Sequence, residues 1–350
     1  MSFLTNLQAL YLNYCLNIID MSVIGELHKL EILSMRENAL KEMSREIGQL
    51  TNLRMLDVSA QCIRTIRSKV ISKLHKLEEL YMQCGFWDWV SKIDGEGQKT
   101  NIGFDEIAGL SYLSTLKVCI SDANCIPKSV EVEPNWVYFD ISTCHGHISE
   151  RIIENFRSDD SGHNCRSLSL SRTDTTIGAF PDWFVNTAVK NTERLRYEEC
   201  KGLSNILVEY DHGRLHGLKV LSVIGRCESL KELMNAITCV PDKPVFENME
   251  ELHLKELNDL EELCVGELPP GSLCSLKLLE VRRCCNLGNV LLPSKLLQKL
   301  PSLEKLLCSD TKVEYLFGCE GFEPDQINLR EMELQDLHVV RGICNGPAPR

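Results

Sequence analysis

The chain has 350 residues, of which 43% are hydrophobic, only 6% aromatic and 25% charged, and its 50 acidic against 38 basic side chains give a formal net charge of -12. An acidic balance of this kind argues against a duplex nucleic-acid binder, which needs Lys and Arg clustered against phosphates. No run reaches the roughly 18 apolar residues of a membrane span, and Thr5, Asn6, Gln8 and Asn13 break the first residues too often for a signal-peptide core.

The chain opens inside a recurring pattern, L-x-x-L-x-L-x-x-(N/C/Q)-x-(I/L), complete at Leu53-Arg54-Met55-Leu56-Asp57-Val58-Ser59-Ala60-Gln61-Cys62-Ile63. Its first apolar position falls at Leu7, Leu30, Leu53, Leu77, Leu113, Trp136, Cys165, Thr192, Leu218, Met249, Leu276, Leu303 and Leu329, about thirteen copies. Self-similarity at 20 to 29 residues marks a leucine-rich repeat, because a short strand and its return segment cannot bury their apolar face without a neighbouring coil on each side. The expected fold is an α/β leucine-rich-repeat solenoid, a horseshoe with one short parallel strand per coil on the concave face and helical, 3-10 or irregular segments on the convex side. A solenoid grows coil by coil, so residues 1–344 are expected to form one elongated domain.

The first copies recur every 23 or 24 residues and carry a second apolar series on the return side: Ile24, Leu27 and Leu30, then Ile47, Leu50 and Leu53, then Ile71, Leu74 and Leu77. A spacing of three suits a 3-10 turn. No polar cap precedes the first copy, which points to a fragment or truncated product whose missing N-terminal part covers that apolar edge. Between Leu77 and Leu113 the interval widens to 36 residues, placing an insertion at 85–103. Its Trp87 and Trp89 either present a binding loop or fold back over their own coil. The copies at Trp136, Cys165 and Thr192 are degenerate, and from Cys165 onward the coils lengthen to 26–31 residues, leaving room for a longer helix or loop. The Pro-rich end, residues 345–350, is expected to be a disordered tail.

Seventeen cysteines invite a disulfide or zinc reading, but the count is odd and neither C-x-x-C nor a paired Cys/His spacing occurs. Cys15, Asn38, Cys144, Cys200 and Cys284 instead share one position, eight residues after the first apolar one. There the chain leaves the strand, and a small donor can satisfy free carbonyls of the neighbouring coil. Reduced thiols in that role, with no N-x-[ST] sequon, point to a reducing, cytoplasmic location. His145 and His147 lack matching ligand spacing and are expected to be turn residues rather than a metal site.

Chemistry has no visible foothold. Neither G-x-x-x-x-G-K-[ST], G-x-G-x-x-G, G-x-S-x-G nor H-E-x-x-H is present, and the carboxylate pairs fall on exposed repeat positions, so no enzyme and no cofactor is expected. The x positions of each strand form columns across one face, because parallel strands stack about 4.8 Å apart. The candidate protein-binding residues there are Tyr11, Tyr14, Arg36, Arg54, Asp57, Glu78, Glu79, Tyr81, Lys117, Arg166, Arg172, Arg194, Arg196, His253, Lys255, Arg282 and Arg283. A polar face of mixed sign suits selection of a protein partner.

Leu50-Thr51-Asn52-Leu53-Arg54-Met55-Leu56-Asp57-Val58-Ser59 and Ile71-Ser72-Lys73-Leu74-His75-Lys76-Leu77-Glu78-Glu79-Leu80-Tyr81-Met82 resemble the repeats of plant intracellular nucleotide-binding leucine-rich-repeat (NLR) disease-resistance proteins of the coiled-coil class. Phe180-Pro181-Asp182-Trp183-Phe184, Cys227-Glu228-Ser229-Leu230-Lys231-Glu232-Leu233 and Cys285-Asn286-Leu287 resemble that family's irregular C-terminal repeats. The resemblance implies a module of innate immunity that senses a pathogen effector or a guarded host protein and restrains the receptor's nucleotide-binding and coiled-coil domains. The phosphate-binding loop and coiled coil have no counterpart in this sequence, so ATP or ADP binding does not carry over. The alternatives are the substrate-recognition repeats of an F-box ubiquitin-ligase adaptor and an intracellular leucine-rich-repeat scaffold.

Overall fold

A computed structural model describes residues 4–18, 21–59, 63, 65–83, 89, 101–144, 165–318 and 328–345. Most of the 85–103 insertion including Trp87, the histidines at 145 and 147, and residues 346–350 of the expected tail lie outside the described residues.

The strands, in chain order, are β1 Ala9–Tyr11, β2 Ile32–Ser34, β3 Met55–Asp57, β4 Glu79–Met82, β5 Thr115–Ile120, β6 Tyr138–Cys144, β7 Arg166–Ser171, β8 Arg194–Glu198, β9 Val220–Ile224, β10 Glu232–Asn235, β11 Glu251–Lys255, β12 Glu262–Val265, β13 Leu278–Arg282, β14 Val290–Leu292, β15 Lys305–Ser309, β16 Tyr315–Gly318, β17 Glu331–Gln335 and β18 Gly342–Asn345. Thirteen of them form one sheet in the order β1-β2-β3-β4-β5-β6-β7-β8-β9-β11-β13-β15-β17. Each starts one or two residues after a first apolar position of the repeat, including the three degenerate copies. The chain is thus a leucine-rich-repeat solenoid of about thirteen coils. By packing it divides into two compact units, Met1–Leu168 with Phe180–Ala188, and Ser169–Ala179 with Val189–Arg350.

Within the first unit the register follows the repeat: Leu10 pairs with Leu33, Leu33 with Leu56, Leu56 with Leu80, Leu80 with Leu116 and Leu116 with Phe139. Equal positions stacked in this way bury one apolar layer per coil, and Leu33, Leu56, Leu80, Leu116 and Phe139 are fully buried. The return turns at Ser22–Glu26, Arg45–Gln49 and Ile71–Lys73 are 3-10 helices. Their spacing of three is read out in the bonds from Leu27 N to Ile24 O (3.0 Å) and from Leu30 N to Leu27 O (2.9 Å), repeated at Leu50, Leu53, Leu74 and Leu77.

Trp89, Phe104, Trp136, Phe180, Trp183 and Phe184 of this unit gather in one cluster. Phe104, on helix α1 (Phe104–Ala108), lies 5.8 Å from Trp89, 6.1 Å from Trp136 and 6.4 Å from Phe184 between ring centroids. Trp183 on helix α2 (Asp182–Thr187) packs 6.2 Å from Trp136 and donates its indole N–H to Pro127 O at 2.7 Å. Trp89 is 7% exposed and donates to Cys119 O at 2.8 Å. It therefore covers its own coil, which removes it from the candidate binding loop: an indole whose N–H is satisfied inside the protein has no polar handle left for a partner.

In the second unit Leu195, Leu221, Leu252, Leu279, Leu306 and Met332 stack in the same register. The longer coils hold helix α3 (Ile206–Gly213), helix α4 (Ser294–Leu297) and, beyond what the repeat pattern predicts, two further parallel sheets on the return side, β10-β12 and β14-β16-β18. Parallel return strands keep the backbone groups of a longer coil paired where a 3-10 turn would be too short to span it.

The position eight residues after the first apolar one behaves as its chemistry requires. Asn38 Nδ2 reaches Leu12 O at 3.5 Å, Cys200 Sγ donates to Leu170 O at 3.0 Å and Cys284 Sγ points to Leu254 O at 3.8 Å. In each case the acceptor belongs to the sixth position of the preceding coil. Burial pushes the Cys200 and Cys284 thiols up to about 12, so they are S–H donors at neutral pH. Cys200→Ala should leave Leu170 O without its donor and lower stability by about 1–3 kcal/mol in urea denaturation, a loss that Cys200→Ser reduces.

Candidate protein-binding face

Between the buried positions of each strand stand residues whose side chains lie on the other face of the sheet, and the hydrogen-bonded register sets which of them become neighbours. In the first unit, Arg54 Nε bonds Glu78 Oε1 at 2.9 Å and its guanidinium lies 3.9 Å from Glu31, one coil to either side. Asp57 accepts from Ser59 N at 2.9 Å, and Tyr81 donates its hydroxyl to Glu79 at 2.7 Å. Burial, reinforced by Glu79, pushes the Tyr81 phenol well above its ordinary value, so it is a fixed neutral donor. Lys117 is half-buried and stands next to Tyr81 in the register, and Arg166 donates to Val137 O at 3.1 Å. Tyr11 and Tyr14 are 58% and 63% exposed, and Arg36 is also exposed, so their surfaces are open to a partner.

The second unit holds the most organised group of charges. Glu280 on β13 is 5% exposed and binds three cationic or imidazole partners: Lys255 Nζ at 2.9 Å, Arg282 Nε at 2.7 Å and His253 Nδ1 at 2.6 Å. The other nitrogen of His253 lies 3.1 Å from Glu251. Burial alone would raise the Glu280 carboxyl, but the hydrogen bonds and charges of Lys255 and His253 outweigh it and hold the group below the ordinary carboxylate range. Beside it, Arg283 bridges Glu256 at 3.0 Å and Asp310 at 3.8 Å. Toward the start of the unit, Arg172 pairs with Glu199 at 2.8 Å and Arg196 with Glu198 at 3.0 Å, while Arg194 is exposed.

The candidate residues His253, Lys255 and Arg282 are therefore brought together around a carboxylate, Glu280, that sequence reasoning did not select, while Arg283 pairs with Glu256 and Asp310. Glu280 occupies the same strand position as His253 one coil earlier, so the column itself carried the signal. The arrangement fixes long cationic side chains on a rigid sheet, with Lys255 and Arg282 still 36% and 43% exposed for a partner's acidic or carbonyl groups. A second buried carboxylate, Glu209 on α3, accepts from Ile177 N at 2.7 Å and from Tyr197 Oη at 3.0 Å, and burial pushes it up. At 3% exposed it is a structural group tying α3 to the coil before it. Among the described residues no cluster of His, Cys, Asp or Glu has the makings of a metal site, and no helix is long and apolar enough to cross a membrane.

The two carboxylates titrate with opposite sign. Glu280 lies below its unfolded value, so its contribution is present above the ordinary carboxylate range and fades as pH falls through the folded value. Glu209 lies above its unfolded value, so its contribution is full in acid and fades as pH rises through the folded value. Glu280→Gln should lower stability by about 1–3 kcal/mol at neutral pH and by progressively less in acid. Glu209→Gln should instead flatten the loss of stability on the alkaline side of the carboxylate range. Denaturant midpoints measured across pH distinguish the two.

Known proteins share this architecture. Residues 248–348 match the family described as plant disease resistance protein RPS2-like, leucine-rich repeats. A disease resistance protein of Arabidopsis thaliana is 26% identical over 357 residues, covering 98% of this chain and 34% of that protein, so the chain spans about a third of its relative's length. Among solved structures, an internalin of Listeria monocytogenes is 15% identical with a TM-score of 0.50, covering 98% of this chain and 83% of that one. A leucine-rich-repeat protein of Leptospira interrogans is 18% identical with a TM-score of 0.49, covering 98% of this chain and 69% of that one. At 15% identity the internalin bears on the fold alone. The family match and the Arabidopsis relative make the chain similar to the leucine-rich-repeat region of plant disease-resistance proteins.

Proposed function

We propose that this chain is the protein-recognition module of a plant intracellular immune receptor, working in the cytoplasm by binding a pathogen effector or a guarded host protein and by restraining the receptor's nucleotide-binding and coiled-coil domains. The observation that carries the reading is the group centred on Glu280. A nearly buried carboxylate holds Lys255, Arg282 and His253 in fixed positions on a sheet whose x positions face outward. Preorganised cations of this kind lose little side-chain entropy on binding and select partners by charge pattern. The similarity to plant disease-resistance repeats supplies the biological class.

Binding rather than catalysis fits the same groups. Four carboxylates of the face, Glu78, Glu79, Asp57 and Glu280, are engaged with a cation, a phenol or a backbone N–H. A general acid or base needs a carboxyl poised near the working pH and free to exchange its proton with a substrate, whereas the partners of Glu280 hold it ionised. The thiols follow the same rule, since burial pushes Cys200 and Cys284 away from the nucleophilic thiolate form.

Replacement of Lys255, Glu280 and Arg282 together by Gln, which strands no charge, combined with Arg283→Glu should abolish recovery of the bound partner in co-immunoprecipitation from plant leaf tissue, with the far-ultraviolet spectrum and cooperative thermal unfolding of the chain retained. Undiminished recovery by the fourfold variant would remove this face as the recognition surface.

A further inference from the structure

The position immediately after the first apolar residue of each repeat forms its own column, and in the second unit it reads Glu193, Lys219, Glu250, Lys277, Glu304 and Arg330, a strict alternation of sign. The backbone fixes its register. Lys219 N donates to Glu193 O at 2.8 Å, Glu250 N to Lys219 O at 2.7 Å, Lys277 N to Glu250 O at 2.8 Å, Glu304 N to Lys277 O at 2.9 Å and Arg330 N to Glu304 O at 2.8 Å. With coils about 4.8 Å apart, the six charges span roughly 24 Å. The position just before the first apolar residue, two before each charge, is small in several coils, at Gly217, Ser275 and Ser302, and with Asn248 these residues and the charges Glu193, Lys219, Glu250 and Lys277 line an open trough of ≈ 430 Å³. The charged side chains are therefore approachable: Lys219 and Lys277 are 52% and 53% exposed, and Glu250 is 43% exposed.

Within the chain the column is partly self-satisfied, since Lys219 lies 3.3 Å from Glu193 and Lys277 lies 2.8 Å from Glu250. Exposed pairs of this sort contribute about 0–1 kcal/mol each, so they restrain the charges only weakly and leave them available to an incoming partner. Two such pairs do not require six charges in unbroken alternation. An alternating column with an even number of members has a further property. Turned end for end about a twofold axis between its third and fourth members, it places every charge opposite its complement. Glu193 then faces Arg330 of a second copy, Lys219 faces Glu304, and Glu250 faces Lys277, each contact occurring twice as an isologous interface demands.

A slip of one coil converts every one of these contacts into a like-charge contact, so the register is specified against its nearest alternative as well as in its own favour. We propose that this column is a homotypic docking surface at which two copies of the chain associate about a twofold axis between Glu250 and Lys277. The association is electrostatic and hence sensitive to salt. It engages the edge of the sheet where the strands begin, apart from the Glu280 group, and does not depend on what that group recognises.

The test uses the whole chain in sedimentation experiments at about 0.01 M and about 1 M salt, where the screening length is about 30 and about 3 Å. The chain should be a dimer at low salt and a monomer at high salt. Lys219 and Glu304 stand three coils apart, roughly 14 Å, and do not meet within one chain. Lys219→Glu alone and Glu304→Lys alone should each weaken the dimer by about tenfold or more, because each sets like charges opposite one another twice. An equimolar mixture of the two variants should restore it. The glutamate introduced at position 219 of one copy then faces the lysine introduced at position 304 of the other, and the unchanged Glu304 faces the unchanged Lys219. Recovery on mixing also shows that both variants are folded. A chain that stays monomeric at low salt, a dimer indifferent to Lys219→Glu, or a mixture no more associated than its components overturns the proposal.

Discussion

Everything in this molecule depends on the backbone hydrogen bonds that tie each coil to the next, position for position. A single coil contributes a strand of three to seven residues and one thin apolar layer, too little to offset the entropy lost in its own ordering. Stacking solves this only if equal positions meet, because a slip of one residue along a strand would turn its leucines to the outer face. The ladder accordingly runs past the strand ends. Arg172 N bonds Glu198 O, Glu199 N bonds Ile224 O, Gly225 N bonds Lys255 O, Glu256 N bonds Arg282 O and Arg283 N bonds Ser309 O, at 2.8–3.0 Å.

To make that last bond the donor residue adopts a left-handed conformation. Tyr14, Glu37, Arg172, Glu199, Glu256, Arg283 and Asp310 all have φ between 51° and 61°, Gly225 takes the same hand without the Cβ penalty, and at Ile120 and Thr143 the strand simply continues. A non-glycine residue there costs about 1 kcal/mol or more, offset by a backbone donor that would otherwise be left unpaired. The residue that follows then turns inward, and in Asn38, Cys200 and Cys284 its side chain bonds a carbonyl of the preceding coil. Strand, left-handed residue and inward donor form one device, and it explains why cysteine serves as well as asparagine: both carry a small donor, and burial keeps the thiol protonated.

Most of this frame is legible in the sequence because the pattern L-x-x-L-x-L reports burial directly. The strands appear where the first apolar positions place them, even in the copies headed by Trp136, Cys165 and Thr192, since stacking needs only some apolar group at each layer. What the pattern does not encode is tertiary. The left-handed column is carried by Tyr, Glu, Arg and Asp, none of which announces positive φ as glycine does. The return strands β10, β12, β14, β16 and β18 follow from coil length and from the apolar series Leu230, Leu233, Leu260 and Leu263, which resembles a helical or 3-10 spacing as much as a strand. Local sequence leaves Trp89 between loop and core, and a distant partner, Phe104, decides it. Glu280 is hidden for a related reason: a carboxylate is ordinary at an x position, and only the neighbouring coil reveals Lys255 and His253 converging on it.

The same register that builds the frame separates the positions that carry stability from those free to vary. Residues that stack into the core, such as Leu221, Leu252 and Leu279, meet their counterparts one coil away and set the coil spacing. The side chains between them meet across coils in columns, where a substitution changes one or two exposed contacts and leaves the ladder intact. Exposed pairs contribute little to stability, so the outer columns can vary in charge without unfolding the chain. Glu280 is the exception that shows the limit of this freedom. Its carboxylate is nearly buried, so losing Lys255 or Arg282 would strand a charge, and the three cationic or imidazole partners must be retained or replaced as a set. A face built this way is free to diversify along its exposed columns while its most rigid anchor stays fixed, which is the physical requirement for a surface that selects partners by charge pattern.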